Sequence, residues 1–598
     1  MRTAVRMLGI VSLVAAMATL AGAQEIMTLS EIRVGMTGTG KTIVSGEQPT
    51  DFAVEILGII DEPGEDDDFI VARVSGAAIG RAGGIAQGMS GSPVYIDGRL
   101  IGALSRAANW SKDLTPIGLI TPIEPMLSVL EAVQGDEISS SSREARIEGV
   151  TVLEVDMPLG LAFDPGLPDA LVSVPLTAPI LASGLSPRAV ENLMGTATAA
   201  RPDGLFADFV VLPPAAAAAL RLPGLSRFGL SLSPVAAAPV RDYGTEASFV
   251  PGGSIGVALA TGDITIGALG TVTYRDGNDV IGFGHPFLSN GPSAFPLTAV
   301  QIYDTIKSYQ ASFKLGSLGR SLGVVLEDRA PAVGGRIGSA PPMIALDVEV
   351  VDEDVGQTRA FAVEIVPESR LIPELLFATG LAAVDEALDR VGAGTVEVTF
   401  TFDGDGLPRP ATRRDVFLSA VDVAVYPAWQ WADIAAFLEY NPFVDPGLHT
   451  VSMSVTITEE IHAVEIAHLE IDRLVYMPGD TLRYALELQT YRGERRYAEG
   501  EILIPADVYT DTIAVRAYGG PRLREAGEAP NEFGELEDMI ELIESLPSHD
   551  VLTVELFGLD VLAPFPEAWV GLERIEVPFD GHVVYGEREV IAYLLESE

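Results

Sequence analysis

The chain has no cysteine among its 598 residues. Disulfides and thiolate metal sites are therefore excluded, and the fold must stand on packing alone. No lipid-bearing cysteine is available behind a leader either. Cations are scarce: 38 Lys and Arg stand against 84 Asp and Glu, a net charge of −46. That balance argues against nucleic acid and anionic membrane surfaces as partners. It favours solubility and names no substrate. Histidine is scarcer still, with six in the whole chain. Beyond the first two dozen residues no apolar run is long and unbroken enough to span a bilayer. What is plentiful is apolar side chain, 48% of the composition, enough for a large globular chain of three or four domains.

The opening "MRTAVRMLGIVSLVAAMATLAGAQ" has the three parts of an export leader. Arg2 and Arg6 form a basic region, Met7 to Leu20 an apolar core, and Ala21-Gly22-Ala23 a small-residue cleavage site. Residues 1–23 are expected to be a signal peptide, with a mature chain from Gln24 in the periplasm or at the cell surface; an uncleaved anchor is the alternative. Shortly after it, "GMTGTGKT" (Gly35 to Thr42) fits the phosphate-loop pattern G-x-x-x-x-G-K-[ST]. A working phosphate loop opens a helix, whose N-terminus faces the phosphate. Here "IVSGEQPTDF" follows, with β-branched residues, Gly46 and Pro49, and no helical period. No nucleotide site is expected, and Lys41 reads as a surface lysine.

Residues 24–134 read as short strands between turns, with Asp97-Gly98 as a hairpin turn. "GDEISSSSREARIEG" marks a polar linker over residues 135–149. Residues 150–262 are mixed, an α/β insertion with a helix starting at Ser186-Pro187 and a low-complexity stretch, "PPAAAAAL", at 213–220. Strand patterning returns over 263–368 and includes the hairpin "GTVTYRDGNDVIGFGHP". Residues 369–449 hold the amphipathic helix "IPELLFATGLAAVDEALDRV" and a connecting segment. Alternating runs over 450–598 predict a C-terminal β-sandwich, interrupted by the acidic helix "ELEDMIELIESL".

Chemistry concentrates in two glycine-framed turns. In "GGIAQGMSGSPVYIDGRLIGALS" a serine stands between glycines just ahead of a hairpin. The N–H groups of Gly88 and Ser90 could converge on one point as an oxyanion hole for acyl transfer. Glycine at 88 and 91 permits the close backbone approach this needs. A glycine-rich hairpin turn with no chemistry is the bland alternative. A serine nucleophile also needs a base, normally histidine. Five of the six histidines (His449, His462, His468, His549 and His582) fall at or beyond the C-terminal region, without metal-ligand spacing. The first 448 residues contain only His285, in "VIGFGHPF". No metal or other cofactor is expected.

Those two segments resemble the signature segments of the SpoIVB-type serine peptidases, named for the stage IV sporulation protein B and assigned to the chymotrypsin-like clan. The resemblance also takes in "VGMTGTGKTIVSGEQPTDFAVEILGI" and "SFKLGSLGRSLGVVLEDRAPAVGGRIG", and covers roughly residues 30–130 and 250–366. It implies a chymotrypsin-like β-barrel core within a mainly β chain. It also implies Ser90 as nucleophile, His285 as base, and the N–H groups of Gly88 and Ser90 as the oxyanion hole. Two departures stand out. The family's aspartate, about fifteen residues before the serine, falls here on Ser75, leaving Asp328 in "VVLEDRAP" as the candidate third acid. The order is also changed, because the sporulation enzyme has histidine before serine.

Two function readings follow. One is an exported serine endopeptidase of narrow specificity, acting on a protein or peptide through a Ser–His site. The other is a peptidase-like module with weak or no turnover, serving as a binding or scaffold protein of the periplasm or cell surface. Nothing in the sequence sets an oligomeric state.

Overall fold

The computed structural model describes residues 24–60, 68–108, 116–135, 173–175, 179–195, 231–236, 245, 248–308, 312–508, 510–521, 533–560 and 568–595. The expected leader (1–23), nearly all of the linker (135–149) and the 213–220 stretch lie outside these residues. As expected, the chain is mainly β.

Six strands build the first barrel: β1 (Thr37–Thr42), β2 (Thr50–Ile60), β3 (Phe69–Ser75), β4 (Ser92–Ile96), β5 (Arg99–Ala108) and β6 (Ile117–Pro122). They run in the order β4-β1-β2-β3-β6-β5, and β4 pairs back onto β5 to close the circuit. Period-two alternation on β3 sends Ile70, Ala72 and Val74 inward, where they meet Phe52, Val54, Val94, Leu104 and Ile120. Asp97 and Gly98 both take positive φ (50° and 80°) in the tight β4–β5 turn, as the hairpin reading requires.

The "GMTGTGKT" stretch becomes β1, a barrel strand with no helix after it. Its glycines answer to packing: a Cβ at Gly38 would lie 2.1 Å from the Tyr95 carbonyl oxygen, and one at Gly40 2.2 Å from the Phe52 ring.

The second barrel repeats the plan with β7 (Ser254–Gly262), β8 (Thr265–Asp276), β9 (Asp279–Gly282), β10 (Gly291–Ile306), β11 (Phe313–Arg329) and β12 (Ala332–Ile337). The circuit β7-β10-β11-β12-β9-β8 closes through the β7–β8 pairing. Two barrels with the serine segment on one and the histidine segment on the other is the architecture the chymotrypsin-like resemblance implies.

Several segments differ from the sequence reading. Ser254–Gly262, assigned to the insertion, is a strand of the second barrel. Residues 369–449 are more than a helix and a connection. Helix Ile372–Leu388 is joined by strands Gly394–Gly404 and Ala411–Ser419 and by a second helix, Val425–Glu439. Strand Leu448–Thr458, placed with the sandwich, pairs instead with Ile344–Asp352 and Gly394–Gly404, extending the second barrel's sheet outward. The sandwich therefore starts at Ala463. Its two sheets, of four and five strands, share a core that includes Val464, Leu486, Val515 and Leu556. The acidic helix forms as Leu536–Ser545, but it docks on the middle unit, where the buried Arg413 guanidinium donates to the Ile543 and Leu546 carbonyls at its C-terminal end. Helix Pro187–Leu193 starts as read, with the Ser186 hydroxyl accepting from the Ala189 N–H. No helix among the described residues is long and apolar enough to cross a membrane.

Candidate active site

Ser90 lies in the turn Gln87–Ser92 that leads into β4. Local bonds shape this turn: Met89 N–H donates to Ala86 O, and both the N–H and the hydroxyl of Ser92 donate to Met89 O. Gly91 N–H also donates to Leu104 O of β5 (2.8 Å), and the further support comes from the other barrel. Thr271 on β8 donates its N–H to Ser90 O (2.8 Å) and its hydroxyl to Gly88 O (3.0 Å). The Thr273 hydroxyl donates to Gly91 O (2.8 Å), while Lys314 N–H donates to Gln87 O and Gln87 N–H to Ser312 O.

These contacts decide where the free donors point. A trans peptide aims each N–H opposite the carbonyl of the residue before it. With Gln87 O and Met89 O both engaged, the N–H groups of Gly88 and Ser90 face away from those partners. Among the described residues neither has an acceptor, whereas the N–H groups of Gln87, Met89, Gly91 and Ser92 all do. Gly88 (φ 86°) and Gly91 (φ 91°) permit the alternation, since both conformations disfavour a side chain. Space forbids one as well: a Cβ on Gly91 would sit 2.0 Å from Thr271 O and 2.4 Å from Phe283 N. The Ser90 side chain is fully buried, and its hydroxyl has no hydrogen-bond partner among the described residues.

His285 follows β9 by a sharp turn in which Phe283 and Gly284 both take positive φ (68° and 69°). A buried phenylalanine in that region is strained and marks a position the surroundings over-determine. The first barrel helps hold it: the Thr121 hydroxyl donates to Gly284 O (2.7 Å), and Gly284 packs on Ala103 and Ser105 of β5. The His285 ring meets Phe283 edge-on, and its Nδ1 lies 2.7 Å from Pro286 O. A carbonyl only accepts, so Nδ1 carries the proton and Nε2 is left as the basic nitrogen. The serine and histidine turns abut directly, Gly91 against Phe283, at the seam of the two barrels.

Asp328, the candidate third acid, lies at the end of β11 and is buried. Its carboxylate accepts from the N–H groups of Phe287 (2.6 Å), Leu288 (2.7 Å) and Asn290 (3.1 Å), the loop directly after His285. Burial pushes this carboxyl up, and the three backbone donors oppose that rise. Its visible work is to hold the histidine loop. Ser75, where the family has its aspartate, is exposed at the end of β3.

Residues 3–109 match the family model of the SpoIVB peptidase S55. The serine-bearing segment is thus similar to that family over this stretch. The match covers Ser75, Gly88 and Ser90, and it ends before His285. No curated protein and no solved structure matches the chain.

One further group belongs to the seam and was missed in the sequence. Lys314 on β11 is wholly buried, and its Nζ donates to the Thr271 hydroxyl (3.1 Å). Burial pushes its amine down to about 7. The only sequence signal is a lysine inside the otherwise apolar and small-residue run "ASFKLGSLG". The C-terminal histidines lie elsewhere. His549 pairs with buried Asp415 (2.8 Å), and the His462 and His582 rings stack. Among the described residues no group of three or more acids and histidines is placed to hold a metal ion.

Proposed function

We propose that this chain is an exported serine endopeptidase whose reaction takes place at the seam between the barrels. Ser90 Oγ attacks the carbonyl carbon of a peptide bond as His285 Nε2 takes its proton. The carbonyl oxygen becomes an oxyanion that accepts from Gly88 N–H and Ser90 N–H. His285 then gives its proton to the departing amine, leaving an acyl-serine. A water deprotonated by His285 attacks this ester, and the acid product leaves as Ser90 regains its proton. The Pro286 carbonyl orients the imidazole, a role usually taken by a carboxylate. A neutral carbonyl stabilises the imidazolium less well, so turnover is slow. With Ser90 fully buried and His285 only 6% exposed, few substrates gain entry, which supports narrow specificity.

One observation carries this reading: among the described residues the two N–H groups flanking Met89 have no acceptor, and the buried serine hydroxyl beside them has no partner either. Arrays of unpaired buried donors are rare unless they serve a ligand or a transition state. The burial of Ser90 also supports the second reading, a binding or scaffold protein without turnover. A fluorophosphonate probe separates the two. Covalent labelling of folded wild-type protein, lost in Ser90→Ala, is expected; absence of labelling in folded wild type rejects the peptidase. For export, the mature N-terminus is expected at Gln24, and an intact Met1 in exported material would overturn that.

A further inference from the structure

A fully buried amine is costly, because desolvation penalises its charged form and its neutral form still needs hydrogen-bond partners. Lys314 has no exposure, and among the described residues no carboxylate pairs with it. Its stem runs beneath the serine turn, with Cδ and Cβ at 3.2 and 3.4 Å from where a Cβ on Gly88 would lie. The polarity of the contact beyond it is forced. Gly88 O can only accept, so the one hydroxyl proton of Thr271 goes to that oxygen. The Thr271 oxygen must then accept from Lys314 Nζ.

We propose that Lys314 is a positioning residue of this site: through Thr271 it holds the Gly88 carbonyl, and in its protonated form it places a positive charge beneath the oxyanion turn. The proposal rests on the reading of Ser90 as nucleophile and adds a group that reading does not need. The surroundings leave the charge to act alone. The turn from Gln87 to Gly91 carries no titratable side chain, and β8 faces Lys314 with Leu269 and Thr271. Thr305 stands opposite it on β10, where Asp304 is exposed and paired with Arg81; Lys307, just beyond, is exposed as well. His285, on the same barrel as Lys314, is the titratable group of the histidine turn.

A charge under the turn stabilises the oxyanion, so the rate falls as Lys314 loses its proton near neutral pH. The alkaline limb of the rate profile therefore belongs to Lys314. Stability runs the other way. A lysine in the unfolded chain titrates at about 10.4, and Lys314 in the fold near 7. The folding penalty is therefore complete below pH 7 and shrinks as pH rises toward the unfolded value. Lys314→Met, similar in length and uncharged, should melt higher than wild type, most of all below pH 7.

The test is the fluorophosphonate labelling rate from pH 5 to 9 for wild type, Lys314→Met, Thr271→Val and Thr271→Ser, each with a thermal melt. Lys314→Met should label about tenfold more slowly at pH 6.5 and lack the alkaline fall. Thr271→Val should slow labelling comparably, and Thr271→Ser, which keeps the hydroxyl, should restore it. A Lys314→Met profile that keeps the wild-type alkaline limb overturns the proposal and leaves Ser90 as nucleophile. If Lys314→Met does not fold, the threonine pair decides, and equal rates for the valine and serine variants overturn it. Wild type that labels at no pH removes the nucleophile and this proposal with it.

Discussion

The serine turn is held mainly by the other barrel, whereas the histidine turn is held mainly by its own. Gln87 to Gly91 are tied to the second barrel by five hydrogen bonds, involving Thr271, Thr273, Ser312 and Lys314. Residues 287–290 are tied by three N–H groups to Asp328 of the same barrel, and the Thr121 hydroxyl crosses the seam to Gly284. The first barrel thus carries the proposed nucleophile, while one of the two proposed oxyanion donors, Gly88 N–H, is oriented by the bond from Lys314 of the second barrel to Gln87 O. In the second barrel a charged side chain organises the histidine loop from within. An isolated serine barrel would keep the local bonds of the turn and lose the five that come from the second barrel.

The largest expected effect comes from Gly91→Ala, which strikes the docking directly. At φ 91° the new Cβ would meet the backbone of both Thr271 and Phe283, so no side chain can swing aside. Gly277, in the β8–β9 turn, is a fair control with φ 60° and open space around it. Gly277→Ala should cost about 1 kcal/mol, the backbone term alone. Gly91→Ala should cost more than about 3 kcal/mol and remove labelling of Ser90. Denaturant midpoints measure both, and equal losses would mean the barrels do not meet as described.

Asp328→Asn tests the other half of the comparison. Its two carboxylate oxygens serve three N–H groups, and the amide replaces one acceptor with a donor. Losing charge-assisted bonds of this kind should cost about 2 kcal/mol, and a loosened loop should slow labelling about tenfold through a misplaced imidazole. His285→Gln provides the scale, because removing the base should slow labelling by about 10³-fold or more. Should Asp328→Asn fall as far as His285→Gln while still folded, Asp328 is acting on the imidazole itself and the site is a triad.

Local rules made the two turns legible, because glycine at 88, 91 and 284 reports a backbone requirement that needs no partner to be recognised. Closure of the barrels was not legible. It depends on β1 meeting β4 and β3 meeting β6 in the first barrel, and on β7 meeting β10 and β9 meeting β12 in the second, pairings between strands that are not neighbours in the chain. Helix Val425–Glu439 escaped because it is buried on nearly every side, with Trp431 wholly enclosed, and so shows no helical period. Asp328 was singled out for its charge, but three backbone donors reveal what the charge does. Lys314 carried the opposite signal, since a lysine in a strand ordinarily marks the solvent face.

The smallest expected effect is at Lys41, the residue that makes "GMTGTGKT" look like a phosphate loop. It projects from β1 with its Nζ 5.8 Å from the Tyr95 ring centroid, and its stem lies against Gly252 at the entry to the second barrel. An exposed cation–π contact is worth about 0.5–1 kcal/mol. Lys41→Ala should therefore lower stability by about 1 kcal/mol or less and leave labelling of Ser90 unchanged. A phosphate-binding lysine behaves differently, since ATP with magnesium would raise the melting temperature of wild type and not of the variant. Neither protein is expected to shift. A nucleotide-dependent rise in wild type alone would give the β1 glycines a role beyond barrel packing, and the serine barrel would then carry a ligand site that the histidine barrel lacks.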